Sequence, residues 1–358
     1  MISRLDRYVA RTYVSSWLVS VVFFLGLFSV VSFFGHMDEL LKRAGPAGSA
    51  LEIVGRFYAY QAPTIMVQVA PFVMLMAALF TVMRLQRHNE LMAMLMVGRS
   101  ARRIVAPILL LTAVFIAGLV WVQESLAPRF ALAAKQLDAL LSDGTEDWTL
   151  DRITVKDARG YLISARNFHV TTGTIEQFNA SGRDTLGRNV SFAGNDATFD
   201  AGARGWRLFG GMVETRALTP GAEPATAAAP FFATDIRPED LLGTRLKPFD
   251  LSYADVLERS ERYPLSSGYR MLRHYHVTYP LSVFLLVMLG LPFVLRRQAR
   301  NNLFGVGISI LLCMLFLIVD AMVRDLGSRG FLAPVLAAWL PVIVAGSGCV
   351  VLWDGLET

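Results

Sequence analysis

The chain has 358 residues, 54% of them hydrophobic, and a formal net charge of +5. Soluble domains carry roughly 45 to 50% apolar residues, and a mean hydropathy of +0.46 places this chain among membrane-integrated proteins. The positive charge gathers as arginines beside apolar runs, which reports topology and leaves nucleic acid unnecessary as an explanation. The only two cysteines, Cys313 and Cys349, lie inside apolar runs and build neither a disulfide framework nor a zinc site.

At the N-terminus Arg4, Arg7 and Arg11 precede an apolar run from Val14 to Gly35. That run exceeds the roughly 7 to 15 residues of a signal-peptide core and no small-residue cleavage site stands out, so it reads as an uncleaved first membrane helix. Apolar windows place six spans near 13–35, 57–83, 104–126, 271–295, 303–323 and 332–353. Six crossings put both termini on one side. With that side cytoplasmic, the short inner segments hold Arg84, Arg87, Arg99, Arg102, Arg103, Arg296, Arg297 and Arg300 besides the N-terminal arginines. The short outer loops hold only Lys42, Arg43, Arg56, Arg324 and Arg329, as the positive-inside rule requires. Prolines recur within the spans at Pro63, Pro71, Pro107, Pro280, Pro292, Pro334 and Pro341, which fits either a kinked, cavity-forming bundle or the ordinary tolerance of proline in membrane helices.

Between the second and third spans lies a Met-rich segment, Leu91 to Val97, fenced by Arg84, Arg87, Arg99, Arg102 and Arg103. It is too short for a bilayer core that needs about 20 apolar residues. Its apolar face must therefore meet lipid headgroups, its own protein or another protein's groove. Met side chains suit a surface that stays packed while a partner changes shape; an interfacial amphipathic helix without a partner is the alternative.

Residues 128–268 are of different character. Ile153 to Lys156, Tyr161 to Ala165, Thr174 to Phe178, Asn189 to Phe192, Ala197 to Asp200 and Trp206 to Thr215 are short and β-rich, with Gly, Asn and Asp turn signals between them. They predict a small antiparallel sandwich or barrel on the outer side. Thr219 to Pro230 reads as a flexible loop by composition, and Leu251 to Tyr263 as a helix returning to the fourth span. The expected organisation is helices one to three over 1–127, the β domain over 128–268 and helices four to six over 269–358.

No Gly-x-x-x-x-Gly-Lys-[Ser/Thr] loop occurs, so ATP hydrolysis would have to come from a partner. His36, His88, His169, His274 and His276 lack metal-ligand spacing, and no nucleophile–base constellation marks an enzyme. Asp320 and Arg324, four residues apart near the outer end of span five, read as a helix-capping ion pair or, if functional, a proton relay. Lys42, Arg43 and Lys135 are outer cations that either snorkel to headgroups or meet the phosphates of an anionic amphiphile.

The order of these parts resembles the lipopolysaccharide export permeases, the LptF/LptG family, and most of all the LptG side. The resemblance is carried by Leu5-Asp-Arg-Tyr8, by Asn89-Glu-Leu91 with Gly98, and by Ala127-Pro128. Ala197-Thr-Phe-Asp200 with Trp206-Arg-Leu208, and Tyr279-Pro-Leu-Ser282, add to it. It implies a six-helix membrane protein with a periplasmic β-jellyroll between helices three and four, in the bacterial inner membrane with both termini cytoplasmic. By the same resemblance the chain is a non-catalytic ABC-transporter permease without cofactor or metal, paired with a second, LptF-like permease around a V-shaped cavity. A cytoplasmic ATPase dimer would grip the segment 87–98 as a coupling helix through Arg87, Glu90, Leu91, Met94, Leu95 and Gly98. Lys42, Arg43 and Lys135 would contact lipid phosphates, and the jellyroll would pass lipopolysaccharide to a periplasmic bridge of like fold. His36 departs from a position where the family often has lysine. The alternative is a membrane subunit of another ABC-type lipid or lipoprotein export complex, although such proteins typically insert their outer domain after span one.

Overall fold

The computed structural model describes residues 4–35, 47–131, 133–134, 149–157, 159–170, 172–184, 187–216, 225–243, 248–262, 267–295 and 302–355. Among the described residues six helices are long and apolar enough to cross a membrane: Arg4–Gly35, Ala47–Arg87, Ala101–Ser125, Ser267–Leu295, Asn302–Ser328 and Pro334–Asp354. The short helix Glu90–Met96 interrupts the second and third. The β domain thus follows the third span and, with the short helix counted, the fourth helix of the chain.

The second span runs for 41 residues, about 60 Å at 1.5 Å per residue and roughly twice a hydrocarbon core. Hydropathy sees only its middle, because the polar ends leave the bilayer while their backbone stays helical. It is also the hub of the bundle: 72% of its most apolar stretch is buried, against 6% for the first span. Small side chains permit this close approach, with Ala70, Ala77 and Ala78 buried beside Val67 and Met74.

A proline inside a helix leaves the carbonyl four residues earlier without its amide donor, and in a membrane that carbonyl needs another partner. Two such carbonyls find one. Pro71 frees the carbonyl of Val67, which accepts a hydrogen bond from the Tyr279 hydroxyl of span four. Pro292 frees that of Met288, which accepts from the Trp353 indole N–H of span six at 2.7 Å. Each proline site is thereby tied to a neighbouring helix. Buried hydroxyls add further ties, such as Tyr13 to Thr112 at 2.8 Å and Ser309 Oγ to the Gly290 carbonyl at 2.8 Å.

The insert forms one antiparallel sheet of eight strands among the described residues, in the order β1 (Thr149–Lys156), β2 (Leu162–His169), β3 (Thr174–Arg183), β4 (Asn189–Asp200), β5 (Gly205–Phe209), β8 (Phe231–Ala233). β6 (Met212–Arg216) joins the first half of β4 and carries β7 (Ala225–Ala228) on its other side. Trp206 is fully buried, set edge-on to Phe168 and Phe199, and its indole N–H donates to the Ile236 carbonyl at 3.1 Å.

Among the departures from the sequence reading, three change the plan of the sheet. Gly194, Asn195 and Asp196 read as a turn, yet β4 is continuous through them. Gly194 pairs with Phe178, and a side chain there would press on Leu208, its Cβ 3.3 Å from that of the leucine. Conversely, the stretch Trp206 to Thr215 is two strands. Gly210 has a φ of +64°, in the left-handed region that glycine tolerates, and a Cβ on Gly211 would stand 2.1 Å from the Ala229 carbonyl oxygen. Within the predicted loop Thr219 to Pro230, Ala225–Ala228 are paired with Met212–Thr215.

The chain returns to the membrane through the helix Tyr253–Arg262. Ser252 and Asp255 form a reciprocal cap, each backbone amide donating to the other's side chain at 3.1 Å.

Candidate functional site

An isolated helix of seven residues has too few hydrogen bonds to outweigh its nucleation cost, so Glu90–Met96 must be held by tertiary contacts. Leu91, Met94 and Leu95 recur at i, i+3 and i+4 and turn inward, the first two buried in the main bundle core and Leu95 packed against it. Full burial of a Leu or Met side chain contributes about 1.5 to 3 kcal/mol, enough to seat so short an element. Asn89, with φ +57°, and Gly98, with φ +80°, turn the chain sharply at either end.

Two polar ties bind this segment to the start of span one. The Tyr8 hydroxyl donates to Glu90 Oε1 at 2.9 Å, and Arg99 pairs with Asp6 at 2.9 Å. Glu90 Oε2 is buried and takes no hydrogen bond among the described residues. The outward face consists of Met92, Met96 and Val97, the last two 80% and 83% exposed, with Arg87 exposed at the end of span two. Of the residues singled out from the sequence, Arg87 and Gly98 lie at the rim, Glu90 is engaged within the chain, and Leu91, Met94 and Leu95 face the bundle. Met92, Met96 and Val97 were missed. Helical phase could have found them, since they fall off the i, i+3, i+4 stripe that the core claims. Nothing local in the sequence signals the partnership of Asp6 and Tyr8 with residues more than 80 positions away.

Higher in the bundle an apolar groove of about 350 Å³ opens between spans one, two and five, walled by Phe24, Phe28, Phe72, Met76, Ile310 and Met314. Span one contributes one wall while exposing Val19, Val22, Phe23, Val30 and Val31 on its own surface. Such a groove accepts alkyl chains and offers a headgroup nothing to bind. Lys42, Arg43 and Lys135, the cations expected to meet lipid phosphate, lie outside the described residues, as does His36.

Near the opposite end of span five, Arg324 and Asp320 approach to 3.6 Å, and the guanidinium carbon stands 4.5 Å from the centre of the Tyr275 ring. The pair is thus an i, i+4 ion pair whose guanidinium also lies over an aromatic ring. Among the described residues no three His, Cys, Asp or Glu side chains gather as metal ligands. Cys313 and Cys349 are buried and unbridged.

The family model for the lipopolysaccharide export system permease LptF/LptG matches residues 7–354, almost the whole chain. The chain belongs to the LptF/LptG permease family. It is therefore a multi-pass membrane protein of lipopolysaccharide export, and its six spans and β domain are the architecture of an LptF/LptG permease. No curated protein matches it.

In the β domain of this LptF/LptG permease, two carboxylates are held by hydrogen bonds from their own domain. Asp157 accepts from the Thr234 hydroxyl at 3.0 Å and from Arg159. Burial alone would raise its carboxyl, but hydrogen bonds from Asp235, the Arg159 amide and Thr234, with the Arg159 charge, hold it below the usual carboxylate range. Asp200 caps the β4–β5 turn. The Ala203 amide first, then Arg207 and the Gly202 amide, hold its carboxyl low.

Proposed function

We propose that this chain is the LptG-side permease of an ABC exporter that extracts lipopolysaccharide from the inner membrane and passes it to a periplasmic bridge of similar β-fold. It pairs with an LptF-like permease, and hydrolysis is done by a separate cytoplasmic ATPase dimer, the chain itself being non-catalytic. Both termini and the short helix face the cytoplasm, the β domain the periplasm. The observation that carries this reading is the short helix: seven residues seated by Leu91 and Met94, presenting Met92, Met96 and Val97 between arginines. Exposed methionines on an element braced by its own protein fit the groove of a partner that changes shape with nucleotide.

Work from a partner is required physically. A lipid with several acyl chains loses about 0.8 kcal/mol per methylene taken out of an apolar environment, so it does not leave the leaflet unaided. The groove walled by Phe24, Phe72 and Met314 gives its chains a path along the bundle, and Lys42, Arg43 and Lys135 are proposed to hold its phosphates at the outer rim.

The test is Met96→Arg. A guanidinium in an apolar interface with no partner charge costs several kcal/mol, so the ATPase should fail to copurify and transport should stop. The permease should still extract from membranes as a monodisperse protein, because Met96 touches little of its own chain. Normal ATPase recovery together with normal transport would overturn the assignment of this helix.

A further inference from the structure

A second groove, of about 440 Å³, lies between spans three, four and six, lined by Leu285, Met288, Gly346, Cys349, Val350 and Trp353 with two charges, Arg102 and Asp354. Arg102 is the second residue of span three and Asp354 the last of span six, so both charges sit at the membrane boundary on the side of the N-terminus. The apolar lining runs from there into the bilayer: Gly346 is eight residues before Asp354, roughly 12 Å along the helix. Val350 is 71% exposed, so the groove opens sideways to lipid.

Its walls are fixed. The Trp353 indole is held by the Met288 carbonyl that Pro292 frees, and the Trp353 carbonyl accepts from Arg102 Nη2 at 2.7 Å. A guanidinium carries five N–H donors, so Arg102 keeps several for a ligand. Among the described residues Arg102 pairs with no carboxylate, and Asp354 accepts no hydrogen bond. An alkyl groove ending in a separate cation and anion complements a molecule with an acyl chain, a phosphate and a nearby ammonium. Inorganic phosphate would use only the cation, and a lipid with an uncharged second group only the chain and the cation.

We propose that this groove holds a phosphoethanolamine-headed phospholipid of the adjoining leaflet. Arg102 binds the phosphate, Asp354 the primary ammonium, and one acyl chain lies along Leu285, Cys349 and Val350. The site is separate from the groove assigned to cargo and stands whether or not that assignment does.

The experiment uses the chain copurified with its partner subunits in phosphatidylcholine nanodiscs. These contain a trace of phosphatidylethanolamine or phosphatidylglycerol bearing a photoactivatable acyl chain, and crosslinked peptides are read by mass spectrometry. Phosphatidylethanolamine should label residues 346–353 in preference to phosphatidylglycerol, by up to about fivefold, the limit for an exposed ion pair. Asp354→Asn should abolish that preference, and Arg102→Gln should lower labelling by both lipids. Gly346→Phe, at a position where an added Cβ meets nothing within 4 Å, should block the groove for both, while labelling near Phe24 and Phe72 stays at the wild-type level and reports an intact fold. Equal labelling by the two lipids, a preference that survives Asp354→Asn, or unchanged labelling in Gly346→Phe would overturn the proposal.

Discussion

Tyr279→Phe removes one oxygen from the core and tests whether the carbonyl freed by Pro71 is satisfied by a side chain of another helix. The ring keeps its packing, with centroids 5.1 Å from Phe249 and 5.5 Å from Tyr275, so apolar burial is unchanged and the effect isolates the hydrogen bond to the Val67 carbonyl. An unsatisfied buried acceptor costs about 1 to 3 kcal/mol in proteins generally, whereas interhelical hydrogen bonds within membranes average about 0.6 and reach about 1.7. A loss of about 1 kcal/mol, some fivefold in the unfolding equilibrium, is expected. The partner substitution is Pro71→Ala, which returns an amide to the position that can donate to Val67. In that background Tyr279→Phe should cost less than about 0.3 kcal/mol, leaving a coupling energy of about 0.7 kcal/mol or more between two residues on different helices. The four proteins are compared by equilibrium unfolding in mixed dodecyl sulfate micelles. An identical cost of Tyr279→Phe in both backgrounds would show that the hydroxyl does not compensate the proline.

Further outcomes follow from the orientation and from the β domain. On the orientation proposed, a membrane-impermeant thiol probe should modify Ser181→Cys and spare Asn89→Cys in intact spheroplasts, since arginines beside a span favour the cytoplasmic side; the reverse pattern refutes the topology. Gly211→Ala should destabilise the β domain by at least about 2 kcal/mol, because the new methyl group meets the Ala229 backbone and not a yielding side-chain tip. Limited proteolysis of the domain at rates equal to wild type would contradict this. The lowered pKa of Asp200 means that its contribution is present above the unfolded carboxylate pKa and is lost as pH falls through the lower folded value. Amide protection at Gly202 and Ala203 should therefore weaken on acidification in the wild type but be low and pH-insensitive in Asp200→Asn, and equal pH dependence in the two would refute the cap.

The membrane spans were legible because their signals are long and one-dimensional, runs of about 20 apolar residues. The β domain was legible in kind but misread in its joints. Gly194 and Gly211 look alike in sequence, yet Gly194 stands opposite Phe178 in a continuous β4, while Gly211 follows Gly210, whose φ of +64° turns the chain between β5 and β6. At the short helix the sequence gives amphipathicity without sign. Leu91 and Met94 look as suited to a partner as Met92 and Met96, until the bundle core claims the first pair. Polar ties such as Tyr8 to Glu90 depend on helices meeting in space, and local patterning carries no trace of them.

Those ties give the first span a mechanical role. Its near end is fastened to the short helix by Tyr8 and Asp6, while Phe24 and Phe28, some 30 Å along the same helix, form a wall of the apolar groove. Between those points Trp17, Val21, Phe24 and Leu25 lie on Ile65, Val69 and Val73 of span two while Val19, Val22 and Phe23 face outward, so the helix is a rod supported along one side only. The ties to the Glu90 segment and the aromatic wall of the groove thus belong to one continuous helix, and the backbone itself joins the two places.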